Sequence, residues 1–292
     1  MSAEQKGMRK NFIERVLPVF ASMSIVFLFG IALTLVLTAL PAFKEVGFFK
    51  LVFGTEWRPT FEPPYFGILP LIISSVIVTI GAIIFAVPLG VGSAIYIAEL
   101  ASDRVKETVK PILEILASIP SVVFGFFGIV FVSPIIQKVF NLPTGLTGFT
   151  AAIILGLMAV PTVASISEDA ITAVSKDLRH ASYALGGNRW ETIIKTVLPA
   201  AKSGIFTAVI LGVSRAMGET MTVLMVAGGA RGIPNSIFVP MRPMTATIAG
   251  EMGEAVVGST HYHALFAIGF TLFVFNIVFN LVAEYIKKGS KK

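Results

Sequence analysis

The chain has 292 residues, 55% hydrophobic and 14% charged, with mean hydropathy +0.84 and a formal net charge of +6. Soluble domains carry about 25% charged residues, so this composition points to a membrane protein. The absence of cysteine excludes disulfides, thiol catalysis and cysteine-held metals, and the positive charge, given where it falls, reports membrane topology and not nucleic acid.

A bilayer core needs about 20 mostly apolar residues per helix. Six segments meet that need, at 16–43, 67–100, 111–140, 146–166, 204–227 and 264–285. They predict an all-α integral membrane protein with six transmembrane helices. The first segment follows Arg9, Lys10 and Arg15, as a signal peptide would. Its apolar run exceeds the roughly 7–15 residues of a signal h-region, so it reads as a retained helix. Pro88, Gly90 and Gly92 interrupt the second segment; Pro120, Gly125, Gly128 and Pro134 the third; Pro161 the fourth. Broken backbone at membrane depth must be buried in protein or line a cavity. The clusters 88–92 and 120–128 are therefore expected to bend beside a pathway, while single glycines let helices approach closely.

Basic residues orient the set, because they accumulate on the cytoplasmic side. With six spans, one side holds Lys6, Arg9, Lys10 and Arg15; Arg104, Lys106 and Lys110; Lys176, Arg179, Arg189, Lys195 and Lys202; and Lys287, Lys288, Lys291 and Lys292. The other side holds Lys44, Lys50, Arg58, Lys138, Arg231 and Arg242. Sixteen against six predicts both termini, and the polar loop between spans four and five, in the cytoplasm. Glu114 reads as interfacial at the inner start of the third span, and Glu168 and Asp169 as contacts of the inner loop or of an ATPase.

The fifth span carries Arg215 and Glu219 within Ser-Arg-Ala-Met-Gly-Glu-Thr-Met. Each costs on the order of 2.5–3.5 kcal/mol at mid-membrane if unpaired. At i and i+4 on one helix they would share a face and pair. They read either as a self-neutralising packing pair or as a pathway group for a charged solute. Ser214, Thr220 and Thr222 add hydroxyls nearby. An arginine fork suits an oxyanion because it bonds two oxygens at once.

On the outer side, 244–257 reads as a half-apolar surface helix with Glu251 and Glu254 on it, or as part of an outer gate. His261, Tyr262 and His263 read as an interfacial belt and not as a metal site. There is no G-x-x-x-x-G-K-[ST] phosphate loop, no H-E-x-x-H and no G-x-S-x-G elbow. No cofactor is expected. If the chain serves uphill transport driven by ATP, the motor is another chain.

The loop at 180–199, HASYALGGNRWETIIKTVLP, resembles the coupling loop of ABC-importer permeases, whose pattern is E-A-A, three residues, G, nine residues, I-x-L-P. Ala181, Gly186, Leu198 and Pro199 match it; His180, Ser182 and Thr196 depart from it. In that family the loop docks on a separate ATPase, which implies that role for Ala181, Gly186, Trp190, Leu198 and Pro199. Asp177 and Leu178 are expected to contribute, with Gly186 at a tight turn. The stretches SIPSVVFGFFG (118–128), SRAMGETM (214–221), TATIAGEMGEA (245–255) and PLGVGSAIYIAEL (88–100) resemble the phosphate-transport permeases. GTEWRP (54–59) is more similar to the PstC-type subunit than to its PstA-type partner.

The resemblance implies a type I, MetI-like permease that forms the pathway for inorganic phosphate. It implies a second permease of the PstA type, an ATPase dimer of the PstB type and an extracytoplasmic binding protein of the PstS type. It assigns transport importance to Arg215 and Glu219, with Ser214 and Thr220 beside them. On this reading 1–66 holds the N-terminal tail, first helix and outer loop; 67–286 is the permease core, with coupling loop 168–203; 287–292 is a basic tail. The residues alone leave sulfate or molybdate open as the solute. An ion-driven secondary carrier would show an internal repeat, which the sequence lacks. A non-transporting scaffold gives no role to the mid-span charges.

Overall fold

The computed structural model describes the backbone of residues 3–289 and the side chains of residues 17–287. The basic side chains Lys6, Arg9, Lys10, Arg15, Lys288, Lys291 and Lys292, which entered the charge argument, lie outside the described residues. Helix α1 (Ala3–Glu45) and the short α2 (Phe48–Phe53) lead into a two-stranded antiparallel hairpin, β1 (Trp57–Arg58) and β2 (Tyr65–Phe66). Helix α3 (Leu69–Ile95) follows, then α4 (Asp103–Ser118), α5 (Ser121–Phe127), α6 (Ser133–Val139) and α7 (Gly148–Thr172). The second half holds α8 (Lys176–Ala184), α9 (Arg189–Thr192), α10 (Leu198–Gly218), α11 (Met221–Val226), α12 (Met244–Glu251) and α13 (Thr260–Gly289).

Among the described residues, six helical stretches are long and apolar enough to cross a membrane: Leu17–Glu45, Leu69–Leu100, Ser121–Val139, Gly148–Thr172, Arg189–Gly218 and Thr260–Lys287. Two differ from expectation. The third starts at Ser121, because the Pro111 region belongs to the separate amphipathic α4. The fifth ends at Gly218, and its lower part begins at Arg189, so the inner loop is shorter than 168–203.

Helix directions alternate. Helices α3 and α7 run parallel: a Cβ on Gly81 would meet Ala152, and one on Gly90 would meet Val163. Helices α7 and α10 are antiparallel, with Gly212 against Val163 and Gly204 against Ala170. Helices α1 and α13 are antiparallel too, since Thr260 bonds Glu45 and His263 bonds the Thr38 carbonyl. The described ends of α1 and α13 therefore lie on the same side as the α7–α8 turn. These glycines admit close helix approach, which membrane helices use in place of a hydrophobic driving force.

The expected breaks at Pro88 and Pro161 do not occur. Both prolines lie inside continuous α3 and α7, whose tight mutual packing holds the helix across the missing donor. Instead the chain widens into five-residue π turns at Tyr96–Leu100, Gly128–Val132 and Ile193–Val197. The last two are each followed within two residues by a proline, Pro134 and Pro199. A proline has no N–H and its ring crowds the carbonyl one turn back, and a widened turn relieves both problems.

Helix α12 is not a surface helix. Met244, Thr245, Ala246, Thr247 and Glu251 are buried, because α12 packs against α13, α11 and α3 and loop 227–243 brings Arg231 and Arg242 onto Glu251. Trp57, Leu51, Ile68, Leu71, Leu265 and Ile268 form a buried outer cluster beside Met244. Glu251, 4% exposed, is tied on every side. Arg242 Nη1 lies at 2.7 Å and Arg231 Nη2 at 3.6 Å from Oε1. Trp57 Nε1 and His261 Nε2 each lie at 3.0 Å from Oε2. Burial pushes the Arg242 guanidinium below its ordinary range, and Glu251 opposes that shift. The histidines thus serve as internal tethers. Conversely, α1 exposes Phe20, Ile25, Phe27 and Phe29, a surface suited to lipid.

Candidate functional site

Two interrupted helices meet in the membrane. The first break separates α4 from α5. Ile119 precedes Pro120, which disfavours the helical region for it, and both are extended, with ψ 129° and 140°. The second separates α10 from α11. Gly218 ends the helix, Glu219 is extended at φ −69° and ψ 130°, and α11 resumes at Met221. Helices α5 and α11 pack directly: a Cβ on Gly125 would lie 2.6 Å from Met225 Sδ and 3.3 Å from Thr222 Cα.

Helix breaks free carbonyls that lipid cannot satisfy. Side chains meet them here. Arg215 Nη2 donates to the Ala117 carbonyl at 3.2 Å, and its Nη1 to Thr162 Oγ1 at 2.8 Å. Thr222 Oγ1 donates to the Ser121 carbonyl at 2.8 Å. Thr220 Oγ1 reaches the Gly218 carbonyl at 3.2 Å, and Thr245 Oγ1 the Glu219 carbonyl at 2.8 Å. Arg215 also places a cation at the C-terminal end of α4, where the helix dipole favours one.

The expected Arg215–Glu219 pair is not formed. Glu219 lies past the end of α10, so the two residues no longer share a helical face, and its Oε1 accepts from the Thr220 N–H at 3.2 Å instead. Arg215, Glu219, Thr220 and Ser214 are all half-buried, and Ser214 Oγ donates to Asn280 Oδ1 at 3.4 Å. Thr162, Thr245, Asn280 and the Ala117 carbonyl were not anticipated. The only sequence signals for them were the dipeptides Pro161-Thr162 and Ile119-Pro120.

The inner loop forms a second constellation. Helix α8 turns at Gly186, whose φ of +85° is the left-handed geometry expected of it. Helix α9 starts on an Asn188–Glu191 capping box. Ser182 and Thr192 hydroxyls bond at 2.9 Å across the elbow. A groove of about 460 Å³ opens there, lined by Leu178, Ala181, Ser182, Leu185, Glu191 and Lys195 among others. Leu185 is 90% and Trp190 58% exposed, and Asp177, Ala181 and Gly186 are exposed too. Leu198 packs against the Ile171–Val197 cluster, and Pro199 is exposed at the start of α10.

The elbow is anchored to the π turn Tyr96–Leu100 that follows α3. Arg179 Nη2 pairs with Glu99 Oε1 at 2.6 Å and caps the Ile171 carbonyl at 3.0 Å. Arg189 donates to the Glu99 carbonyl. Lys110 of α4 pairs with Glu168 at 2.8 Å and Asp169 at 3.0 Å. Those bonds hold its ammonium protonated above the usual lysine range. Glu114 is exposed on the same helix.

Residues 86–292 match the family model of the binding-protein-dependent transport system inner membrane component. The protein named "Probable ABC transporter permease protein YqgH" of Bacillus subtilis (strain 168) is 39% identical, over 81% of this chain and 76% of its own. The phosphate transport system permease protein PstC of Mesorhizobium japonicum is 34% identical, over 91% of this chain and 86% of its own. Among solved structures, a chain of the inward-facing MetNI methionine ABC transporter superposes with TM-score 0.60, at 17% identity, over 75% of this chain and 94% of its own. That likeness shows the fold, a MetI-like permease.

Proposed function

The chain belongs to the family of binding-protein-dependent transport system inner membrane components, and from that premise we propose that it lines the translocation pathway of an ATP-driven importer of inorganic phosphate. The phosphate assignment rests on its PstC relatives, aligned over about nine tenths of the chain. The observation that carries the mechanism is Arg215 at the junction of two helix breaks, where its guanidinium bonds one backbone carbonyl and one hydroxyl.

An oxyanion crossing the membrane needs donors that replace its lost water. Arg215 can turn its fork from the Ala117 carbonyl and Thr162 to two phosphate oxygens. Thr220 and Ser214 add hydroxyls, and Glu219 supplies a negative charge that keeps the attraction shallow. Releasing Ala117 also frees the α4–α5 joint, so binding the ion and moving the joint are one event.

On this reading both termini and the 173–188 turn face the cytoplasm. Ala181, Gly186 and Trp190 meet an ATPase dimer of the PstB type, with Leu198 and Pro199 setting the angle of α10. A PstA-type permease completes the pathway, and a PstS-type protein delivers the ion. The chain itself hydrolyses nothing. A tagged copy isolated from its native membrane should bring an ATPase and a second permease with it. Isolation of a lone, transport-competent chain would refute the reading.

A further inference from the structure

Helices α10 and α13 lie in one antiparallel register. Lys287 Nζ donates to Thr207 Oγ1 at 2.7 Å, and Ser214 Oγ to Asn280 Oδ1 at 3.4 Å. The two pairs are two turns apart, about 10 Å along the helices. One turn further, Asn280 Nδ2 donates to Asn276 Oδ1 at 2.6 Å and to its carbonyl at 3.0 Å. The Asn276 Nδ2 has no partner among the described residues. Asn276 and Asn280 both lie within the span Thr260–Lys287, and Asn280 is exposed.

An amide turned to lipid loses its hydrogen bonds to water and gains none. Helix α13 has a separate face that suits lipid: Val278 is 51% and Val282 52% exposed, and both sit roughly opposite Asn276 and Asn280 at 100° per residue. Asn280 meets Ser214, the residue beside Arg215, and Asn276 borders the groove lined by Leu35, Ile248 and Phe273.

We propose that Asn276, Asn280, Ser214, Thr207 and Lys287 form a water-facing seam that lines the inner half of the pathway. The seam offers an oxyanion amide and hydroxyl donors from Asn276, about one turn beyond Arg215, down to an ammonium at the exit. This rests on the transport reading above. Neutral donors replace hydration without creating a deep well, which conduction requires. The seam is a transit surface, not a holding site.

This chain has no cysteine, so a single introduced cysteine is its sole thiol, and labelling is read on this subunit after the subunits are separated. Asn276→Cys, Asn280→Cys, Val278→Cys and Val282→Cys are placed one at a time in the full transporter in inside-out vesicles. They are treated with a membrane-impermeant thiol reagent, without phosphate. Cysteines at 276 and 280 should react at least about tenfold faster than those at 278 and 282, because the thiolate forms only where water reaches it. Equal, slow reaction at all four positions overturns the seam. Asn276→Leu and Asn280→Leu should each cut uptake roughly three- to tenfold, the range one hydrogen bond carries in a membrane protein, with assembly and ATP hydrolysis unchanged. Normal uptake in both also overturns it. Labelling does not depend on the solute. Fast reaction in a transporter that moves sulfate but not phosphate leaves the seam standing and removes the phosphate assignment. Phosphate uptake with unreactive cysteines removes the seam alone.

Discussion

The Arg215 guanidinium donates to the Ala117 carbonyl at 3.2 Å across 98 residues of sequence, and this bond ties the upper end of α10 to the break between α4 and α5. Removing the fork should stop the ion without dismantling the bundle, because the α3–α7–α10 packing keeps its close contacts at Gly81, Gly90, Gly204 and Gly212 when the Arg215–Thr162 bond is lost. For Arg215→Gln, phosphate uptake should fall roughly 10- to 100-fold, the range of a charged hydrogen bond, with assembly and ATP hydrolysis retained. Arg215→Lys should recover little, because an ammonium cannot bond two groups in a planar fork. Wild-type uptake by Arg215→Gln would make the residue dispensable.

Arg215 and Glu219 act through different partners, Ala117 and Thr162 for one and the Thr220 N–H for the other. Both are nevertheless proposed to act on one ion, so a double-mutant cycle on Arg215→Gln and Glu219→Gln, read in uptake rates, should show a coupling of about 0.5–3 kcal/mol. Additivity within about 0.5 kcal/mol would mean that Glu219 does not temper the attraction of Arg215 for the ion.

Gly186 has φ +85°, and a Cβ there would meet nothing within 4 Å. The cost of a side chain is therefore backbone strain of roughly 1–2 kcal/mol, not a clash. Gly186→Val should leave the membrane helices folded while ATP hydrolysis continues and uptake is lost. Circular dichroism and paired hydrolysis and uptake assays check this. Tight coupling in the variant would show that the turn geometry is irrelevant.

Much of this was legible in the sequence because lipid leaves the backbone few choices. The six apolar runs and the Gly186 turn follow from local chemistry. The Arg215–Glu219 pairing was misread because helical spacing was carried through Gly218, where the helix stops. Nothing local to Glu219 announces that Thr245 will take its carbonyl from 26 residues away. The surface reading of α12 failed for a similar reason. Glu251 and Glu254 look solvated until loop 227–243 brings Arg231 and Arg242 over the first of them. Pro88 and Pro161 looked like breaks because a proline's cost is local, whereas its compensation comes from a neighbouring helix.

Glu251 joins the hairpin, loop 227–243 and α13 through Trp57, Arg242 and His261. Glu251→Ala strands Arg242, whose side chain is 11% exposed. Breaking a buried pair by removing one partner costs about 3–5 kcal/mol. Thermal unfolding of the purified transporter should shift down accordingly, and Glu251→Gln, which keeps hydrogen-bond acceptors, should lose less. An unchanged transition would mean that the outer cluster carries no stability.

The central claim is tested most directly by reconstituting the chain in sealed proteoliposomes with its second permease, the ATPase and the soluble binding protein, and following radiolabelled phosphate. The account predicts uptake that needs ATP and the binding protein, is not competed by sulfate, and collapses with Arg215→Gln. ATP-independent uptake by this chain alone, or ATP-driven uptake of sulfate in place of phosphate, would contradict it.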